Sequence, residues 1–165
     1  IYLTLQSYTS VEISLNLTAG VLFTNRTGSQ LNKQYNTEIN NWNNGTWNYN
    51  NVSMQTEYWI KNTGSDPEDF CINATSALTC GGGTCSGQTI PINNVSFNNA
   101  TSNDINNPSY DTSKRLDTNY LKVGYGITPD AYIYLRFWLF VPTAKPSGTY
   151  NTTFAVRAVP AGSSC

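Results

Sequence analysis

The acidic residues are the side chains with the most obvious chemistry, and three of them lie close together. Asp66, Glu68 and Asp69 stand in the segment SDPED. Carboxylate oxygens at such short spacing are ligands that calcium prefers. The same composition is typical of a solvated turn, and we expect the turn. No other acids form a recognised motif, although two carboxylates at a set separation would serve a glycosidase.

The remaining catalytic residue types are poorly represented. The chain contains no histidine, so the commonest general base and the usual nucleophile–histidine pairs are missing. Its four cysteines lack a histidine co-ligand, and their spacings do not form the two CxxC pairs of a four-cysteine zinc site. We therefore predict that the protein is not an enzyme and has no metal or cofactor other than N-linked glycans.

The cysteines are better explained as two disulfides. They are Cys71, Cys80, Cys85 and Cys165. Four cysteines allow three pairings. We favour Cys71–Cys80 with Cys85–Cys165, because the second bond would fix the end of the chain to a mid-chain loop. Cys80–Cys85, across GGGT, is the main alternative for the short bridge.

Asparagine is the residue that indicates a cellular location. Sequons for N-glycosylation are spread over the whole chain, at Asn16, Asn25, Asn44, Asn51, Asn73, Asn94, Asn99 and Asn151. This density favours a secreted, heavily glycosylated protein. The sequence has no initial Met and no charged-then-apolar leader, so we expect that a secretion signal has been removed.

Charge and hydropathy exclude two further classes. Only 12% of the residues are charged and the formal net charge is −1, so the basic footprint of a nucleic-acid-binding protein is missing. No stretch approaches the roughly 18 apolar residues of a membrane helix. Exposed aromatic residues, by contrast, could stack on sugars as in a lectin, and the candidates are Trp42, Trp47, Trp59 and the tyrosines. Their alternative role is to pack the core or to cover the chain's own glycans.

The first seventeen residues, IYLTLQSYTSVEISLNL, organise the rest of the chain. Apolar residues alternate with polar ones, which is typical of a strand with one apolar face. The segment is much longer than the usual five or six residues, and Ser7, Tyr8, Thr9 and Ser10 form its least apolar part. We therefore predict a hinge at these four residues. Residues 1–6 would form a separate strand that can pair elsewhere, and Val11–Leu17 would open the home sheet.

Short extended segments separated by turns fill the remainder. Asn44-Gly45 predicts a tight hairpin, and Met54–Ile60 and Tyr120–Tyr125 read as strands. Residues 131–141 are bulky on both faces, which predicts a strand that is covered on both sides or meets solvent only through aromatic side chains and sugar. Residues 149–159 predict a last strand, and residues 98–118 a long surface loop. No helix is expected. The pattern predicts an all-β, immunoglobulin-like or pilin-like β-sandwich over residues 11–165, with residues 1–10 as donor strand and hinge.

Three features together resemble a known family. They are the alternating segment Ile1–Leu17, the sequon-rich all-β body and the closing stretch FWLFVPTAKPSGTYNTTFAVRAV. In combination they are similar to the subunit of the thread-type pilus of thermoacidophilic archaea. The chain does not resemble an archaeal type IV pilin, which begins with a long apolar helix.

The resemblance implies an extracellular filament on the cell surface. An incomplete sandwich would be completed by a strand from the neighbouring copy, with Ile1, Leu3 and Leu5 filling its pockets. The strands Met54–Ile60, Ala131–Val141 and Tyr150–Ala158 are candidates to line the groove. The partner would then be the protein itself, with further contacts to surfaces or cells. Two alternatives stay open: residues 1–6 could be an ordinary first strand of the same molecule, and the protein could be a secreted lectin that does not polymerise.

Overall fold

A computed structural model describes residues 9–21, 23, 34–36, 42–43, 46–47, 58–102, 113–142 and 144–165. These residues contain thirteen strands and one α-helix, α1 (Leu15–Ala19). The strands are β1 (Val11–Ile13), β2 (Gln34–Asn36), β3 (Trp42–Asn43), β4 (Thr46–Trp47), β5 (Tyr58–Asn62), β6 (Glu68–Ala74), β7 (Leu78–Cys80), β8 (Thr89–Ile90), β9 (Val95–Ala100), β10 (Leu121–Ile127), β11 (Tyr132–Phe140), β12 (Tyr150–Asn151) and β13 (Phe154–Pro160). Two short 3-10 helices, Gly83–Cys85 and Ile92–Asn94, lie on either side of β8. The fold is all-β, as the sequence predicted.

The largest sheet is built on β11. Strands β5 and β2 pair along one side of β11 and β9 pairs along the other, all antiparallel. Strand β1 extends the sheet beyond β5. Residues 135–138 of β11 are buried without interruption. Because successive side chains of a strand point to opposite faces, this run confirms the prediction that β11 is covered on both faces.

A second sheet has the order β10-β6-β13. Its central strand β6 is buried along its whole length. Two small sheets complete the pairing: β12-β7-β8 and the hairpin β3-β4. In the hairpin, Trp42 lies directly opposite Trp47 and Asn43 opposite Thr46. The pairing thus flanks Asn44-Gly45, where the sequence predicted a tight hairpin.

The two larger sheets contribute to one apolar core. Its buried members include Tyr58, Ile60, Phe97, Ile133, Leu135 and Phe137 from the first sheet, and Phe70, Ile72, Val123 and Ile127 from the second. Phe137 contacts the rings of Tyr58 and Phe154 edge-on. Core sharing between two sheets is what a β-sandwich requires. The immunoglobulin-like or pilin-like sandwich itself stays a prediction. The predicted donor strand, residues 1–6, lies outside the described residues.

The predicted strand Val11–Leu17 is wrong in its second half. Strand β1 ends at Ile13 and α1 begins after Ser14. The Ser14 side chain accepts a hydrogen bond from the Leu17 amide at 3.2 Å, which satisfies one of the free amides at the start of a helix. Leu17 is buried, whereas Leu15 is 73% exposed. Alternation alone did not reveal the N-cap, because Leu15 and Leu17 continue the strand pattern.

The favoured disulfide pairing is also wrong. The bonds are Cys71–Cys165 and Cys80–Cys85, so only the alternative for the short bridge is confirmed. The chain turns back after β13 and returns Cys165 to the middle of β6. Gly148 packs against the short bridge so closely that a methyl group there would overlap Cys85 Sγ.

Three other element boundaries differ from expectation. The predicted last strand is divided into β12 and β13. The predicted loop 98–118 begins inside β9, and its residue Leu116 is buried. In the predicted strand Met54–Ile60, residues 54–57 lie outside the described residues, and residues 58–60 are buried in succession rather than alternately.

Candidate functional site

The chain enters the described fold at Ser10, the last of the four predicted hinge residues. Its carbonyl accepts a hydrogen bond from the Thr63 amide at 2.9 Å, and its hydroxyl accepts one from Thr63 Oγ1 at 3.0 Å. Its own amide donates to Glu68 Oε1 at 2.7 Å. Ser10 is therefore fixed to the end of β5 and the start of β6. Thr9 is exposed, and Ser7 and Tyr8 lie outside the described residues.

Glu68 is a buried carboxyl group at this attachment point. It is 1% exposed, and its Oε2 has no hydrogen-bond partner among the described residues. Burial raises the pKa of Glu68, and the hydrogen bond from the Ser10 amide offsets that rise only in part. An ionised Glu68 therefore costs stability, because burial disfavours the charged form.

Asp69, the next residue, lies on the opposite face of β6 and is fully partnered. Lys122 Nζ donates to it at 2.6 Å, and the amides of Gly126 and Gly162 donate at 2.7 and 2.9 Å. Burial alone would raise the pKa of Asp69, but the Lys122 ammonium and the two amides outweigh burial and lower it. Asp69 thus stays ionised, and it binds the turn at Gly162 to β6.

The solvated turn predicted for these acids is correct only in part. Asp66 is exposed, but Glu68 and Asp69 are among the most buried polar residues. Neighbouring residues of a strand point to opposite faces, so the two buried carboxylates cannot share a ligand. Among the described residues, no three Asp, Glu, Cys or His side chains converge on a position that could hold a metal ion.

Strand β13 forms an edge of the second sheet. It pairs with β6 from Phe154 to Pro160 in unbroken register, and among the described residues no strand pairs with its other side. Bonds in the same register, Thr75 N to Thr153 O and Ala161 N to Pro67 O, show that the odd-numbered residues face β6. Since hydrogen-bonded residues alternate in an antiparallel pair, the backbone groups of the even-numbered residues point outward.

Those even-numbered residues are apolar and only partly covered. Phe154, Val156 and Ala158 pack against the core and are partly buried. On the other face, the Arg157 guanidinium lies 4.2 Å from the centre of the Tyr120 ring. The edge therefore combines free backbone groups with apolar side chains at alternate positions, which is the composition of a surface that can accept a strand.

The predicted glycosylation sites differ in accessibility. Asn151 is exposed, whereas Asn73 is buried. The side-chain nitrogens that would carry the sugar donate to Thr118 O from Asn73 and to Phe140 O from Asn94. Asn16 is half-buried, and the half-buried Asn99 accepts a bond from Lys114. The other predicted sites, Asn25, Asn44 and Asn51, lie outside the described residues. Among the sequons in the described part of the chain, Asn151 is thus the most accessible to a glycan.

The three tryptophans proposed to stack on sugars do not lie in equivalent positions. Trp59 is buried in β5 and contacts the Tyr132 ring edge-on, so it belongs to the interior. Trp59 is therefore not available as an exposed ring on which a sugar could stack. Trp42 and Trp47 are cross-strand partners in the β3-β4 hairpin.

Comparison with known proteins identifies no relative of this chain. No family model, curated protein or solved structure matches the chain. In the described part of the chain, no helix has the length and apolar character needed to cross a membrane.

Proposed function

We propose that the protein is a structural subunit of an extracellular, glycosylated filament. Subunits would polymerise head to tail by donor-strand complementation, and residues 1–6 of one copy would complete the β-structure of the next. Two disulfides and an accessible sequon at Asn151 are compatible with an extracellular location. The partner is a second copy of the chain, and the filament surface is free to contact other surfaces or cells.

One observation carries the proposal: the alternating segment Ile1–Gln6 directly precedes the point where Ser10 becomes fixed to the fold. An extended peptide can add to a sheet edge through backbone hydrogen bonds and fill pockets with alternate side chains. Ile1, Leu3 and Leu5 are those alternate side chains. Because the donor and acceptor surfaces differ, repeating the contact gives an open chain of subunits.

The contacts of the added segment would favour assembly. Burying each apolar side chain contributes roughly 1.5–3 kcal/mol. Each edge hydrogen bond adds about 0.5–1.5 kcal/mol. The gross total for three side chains and several bonds is on the order of 10 kcal/mol before the cost of ordering the segment.

The test is negative-stain microscopy of the secreted full chain and of two variants. Leu3→Asp with Leu5→Asp places charges on the apolar face of the segment. Thr4→Asp with Gln6→Asp adds the same charge to the polar face and is the matched control. We expect filaments from the wild type and the control. The Leu3/Leu5 variant should give folded, unpolymerised subunits with unchanged circular dichroism.

Two results would contradict the proposal. A wild type that yields only monomers or small oligomers would remove the filament function, and filaments from the Leu3/Leu5 variant would remove the donor role. The alternative lectin predicts non-polymerising protein that binds a glycan array and loses binding when Trp42 or Trp47 is replaced by Ala.

A further inference from the structure

We infer that the acceptor for the donor segment is the outer edge of β13, and that its occupant is residues 1–6 of a second copy. This inference rests on the proposed function. It adds the location of the acceptor: the amides of Phe154, Val156 and Ala158, which face away from β6.

The lengths of donor and acceptor agree. Strand β13 has seven residues in continuous register, which is about 23 Å of edge. The six residues before Ser7 would extend over about 20 Å. Pro160 has no amide hydrogen to offer and therefore ends the edge.

The chemistry of the two surfaces also agrees. The segment IYLTLQ has no charged side chain, and the core-facing side chains of β13 are Phe, Val and Ala. The single charged side chain of β13, Arg157, is turned to the other face over Tyr120. A strand added here would thus bring Ile1, Leu3 and Leu5 next to the partly buried apolar side chains of β13 without burying a charge.

The other sheet edges are less suited to accept a strand. Residues 114–116 already cover β9, through bonds from Phe97 N to Lys114 O and from Leu116 N to Val95 O. Strand β10 has two register shifts against β6, and such irregularities protect an edge. Strand β1 is three residues long and includes the exposed Glu12. Among the described strands, β13 alone offers a long, regular and open apolar edge.

The position of Ser10 favours a second copy as the occupant. Ser10 is bonded to Glu68, which lies opposite Pro160 at the end of β13. If residues 1–6 of the same chain lined this edge, they would have to run back from there, parallel to β13. A second copy can approach antiparallel, and antiparallel pairing is slightly more stable per residue.

Proline substitutions on two sheet edges test whether β13 is the acceptor. Val156→Pro removes an outward amide of β13 without breaking a bond to β6. Val11→Pro is the matched control, because the Ser10 carbonyl and the Ser14 amide bond to β5 and the Val11 amide therefore faces outward from β1. Both valines are half-buried. We expect Val156→Pro to lower filament yield by at least about tenfold, and Val11→Pro to polymerise like the wild type.

Hydrogen exchange on wild-type protein keeps the test independent of variant folding. The amides of Phe154, Val156 and Ala158 should exchange quickly in the monomer and slowly in filaments. A photoreactive phenylalanine analogue at Tyr2, in filaments mixed from isotope-labelled and unlabelled copies, should give crosslinks to the β13 peptide that join the two isotopes.

The outcomes separate the two proposals. If the wild type forms no filaments, the proposed function fails and takes this inference with it. If filaments form but the β13 amides stay unprotected, or Val156→Pro still polymerises, β13 is not the acceptor. The proposed function then stands without this inference. Amides that are already protected in the monomer, or crosslinks within single copies, would identify the same chain as the occupant and overturn the inference.

Discussion

The two faces of β6 hold two different segments of the chain, and they hold them differently. On the core-facing side, Glu68 binds the chain at Ser10 through one backbone amide. On the opposite side, residues 161–165 are held by Asp69, by a hydrogen bond from Lys122 Nζ to Ser163 O, and by the Cys71–Cys165 disulfide. Strand β6 therefore anchors both segments. It holds residues 161–165 covalently, and it holds Ser10 through a single carboxylate oxygen.

The protonation of the two carboxylates sharpens this contrast. The partners of Asp69 lower its pKa, so its charge stabilises the fold at neutral pH. Burial raises the pKa of Glu68, so the ionised form of this carboxyl group opposes folding. The contact that β6 makes with Ser10 is thus the weaker of the two, and Ser10 is held in addition by two hydrogen bonds from Thr63.

The largest expected effect comes from the covalent side. Replacing Cys71 and Cys165 by Ser opens a loop with a sequence separation of 94, and we expect the free energy of unfolding to fall by about 4.7 kcal/mol. The matched control replaces Cys80 and Cys85, whose separation is 5, and should cost about 2 kcal/mol. Denaturant unfolding of both variants measures the difference. Equal losses would show that the Cys71–Cys165 disulfide contributes no more to stability than the short one. Residues 161–165 would then not be held more firmly because of it.

The ion pair should have the next largest effect. Asp69→Asn removes the charge that compensates Lys122 and weakens the acceptor for two amides, so we expect a loss of about 3 kcal/mol at pH 7. Asp66→Asn, at the exposed acid of the same segment, should change stability by less than about 0.5 kcal/mol. The Asp69 contribution is complete above the ordinary carboxyl range and is lost as pH falls through the lowered pKa. Similar losses in the two variants would contradict the structural role of Asp69.

The sequence could not have revealed this pair of anchors. Ser65–Asp69 has the composition of a turn, and the turn ends at Pro67 because β6 starts at Glu68. Burial of both acids depends on partners far away in sequence, Ser10 on one face and Lys122 with Gly162 on the other. Local composition does not contain such partners.

What the sequence did predict is the part decided by local pattern. The all-β class, the central strand β11 and the Asn-Gly hairpin follow from alternation and turn residues, and all three are confirmed. The helix α1 was missed because its N-cap, Ser14, also fits a strand. The pairing of Cys165 was missed because it depends on the return of the chain after β13.

The smallest effect, and the one most specific to the weak anchor, is expected at Glu68. Glu68→Gln keeps an oxygen that can accept the Ser10 amide and removes the buried charge. Because burial raises the pKa of Glu68, the ionised carboxylate costs stability above that pKa, and this cost is lost as pH falls through it. The stability of the variant relative to the wild type should therefore fall, by an amount on the order of 1 kcal/mol, as pH is lowered from neutral to about 3.

Thermal unfolding at several pH values measures this difference, with Glu12→Gln at the exposed acid of β1 as the control. That control should change stability by less than about 0.5 kcal/mol at either pH. A variant whose stability relative to the wild type rises as pH falls would mean that the ionised Glu68 stabilises the fold, because its bond to the Ser10 amide outweighs its burial. The charges of Glu68 and Asp69 would then act in the same direction, and the contrast between the two faces of β6 would depend on the disulfide alone.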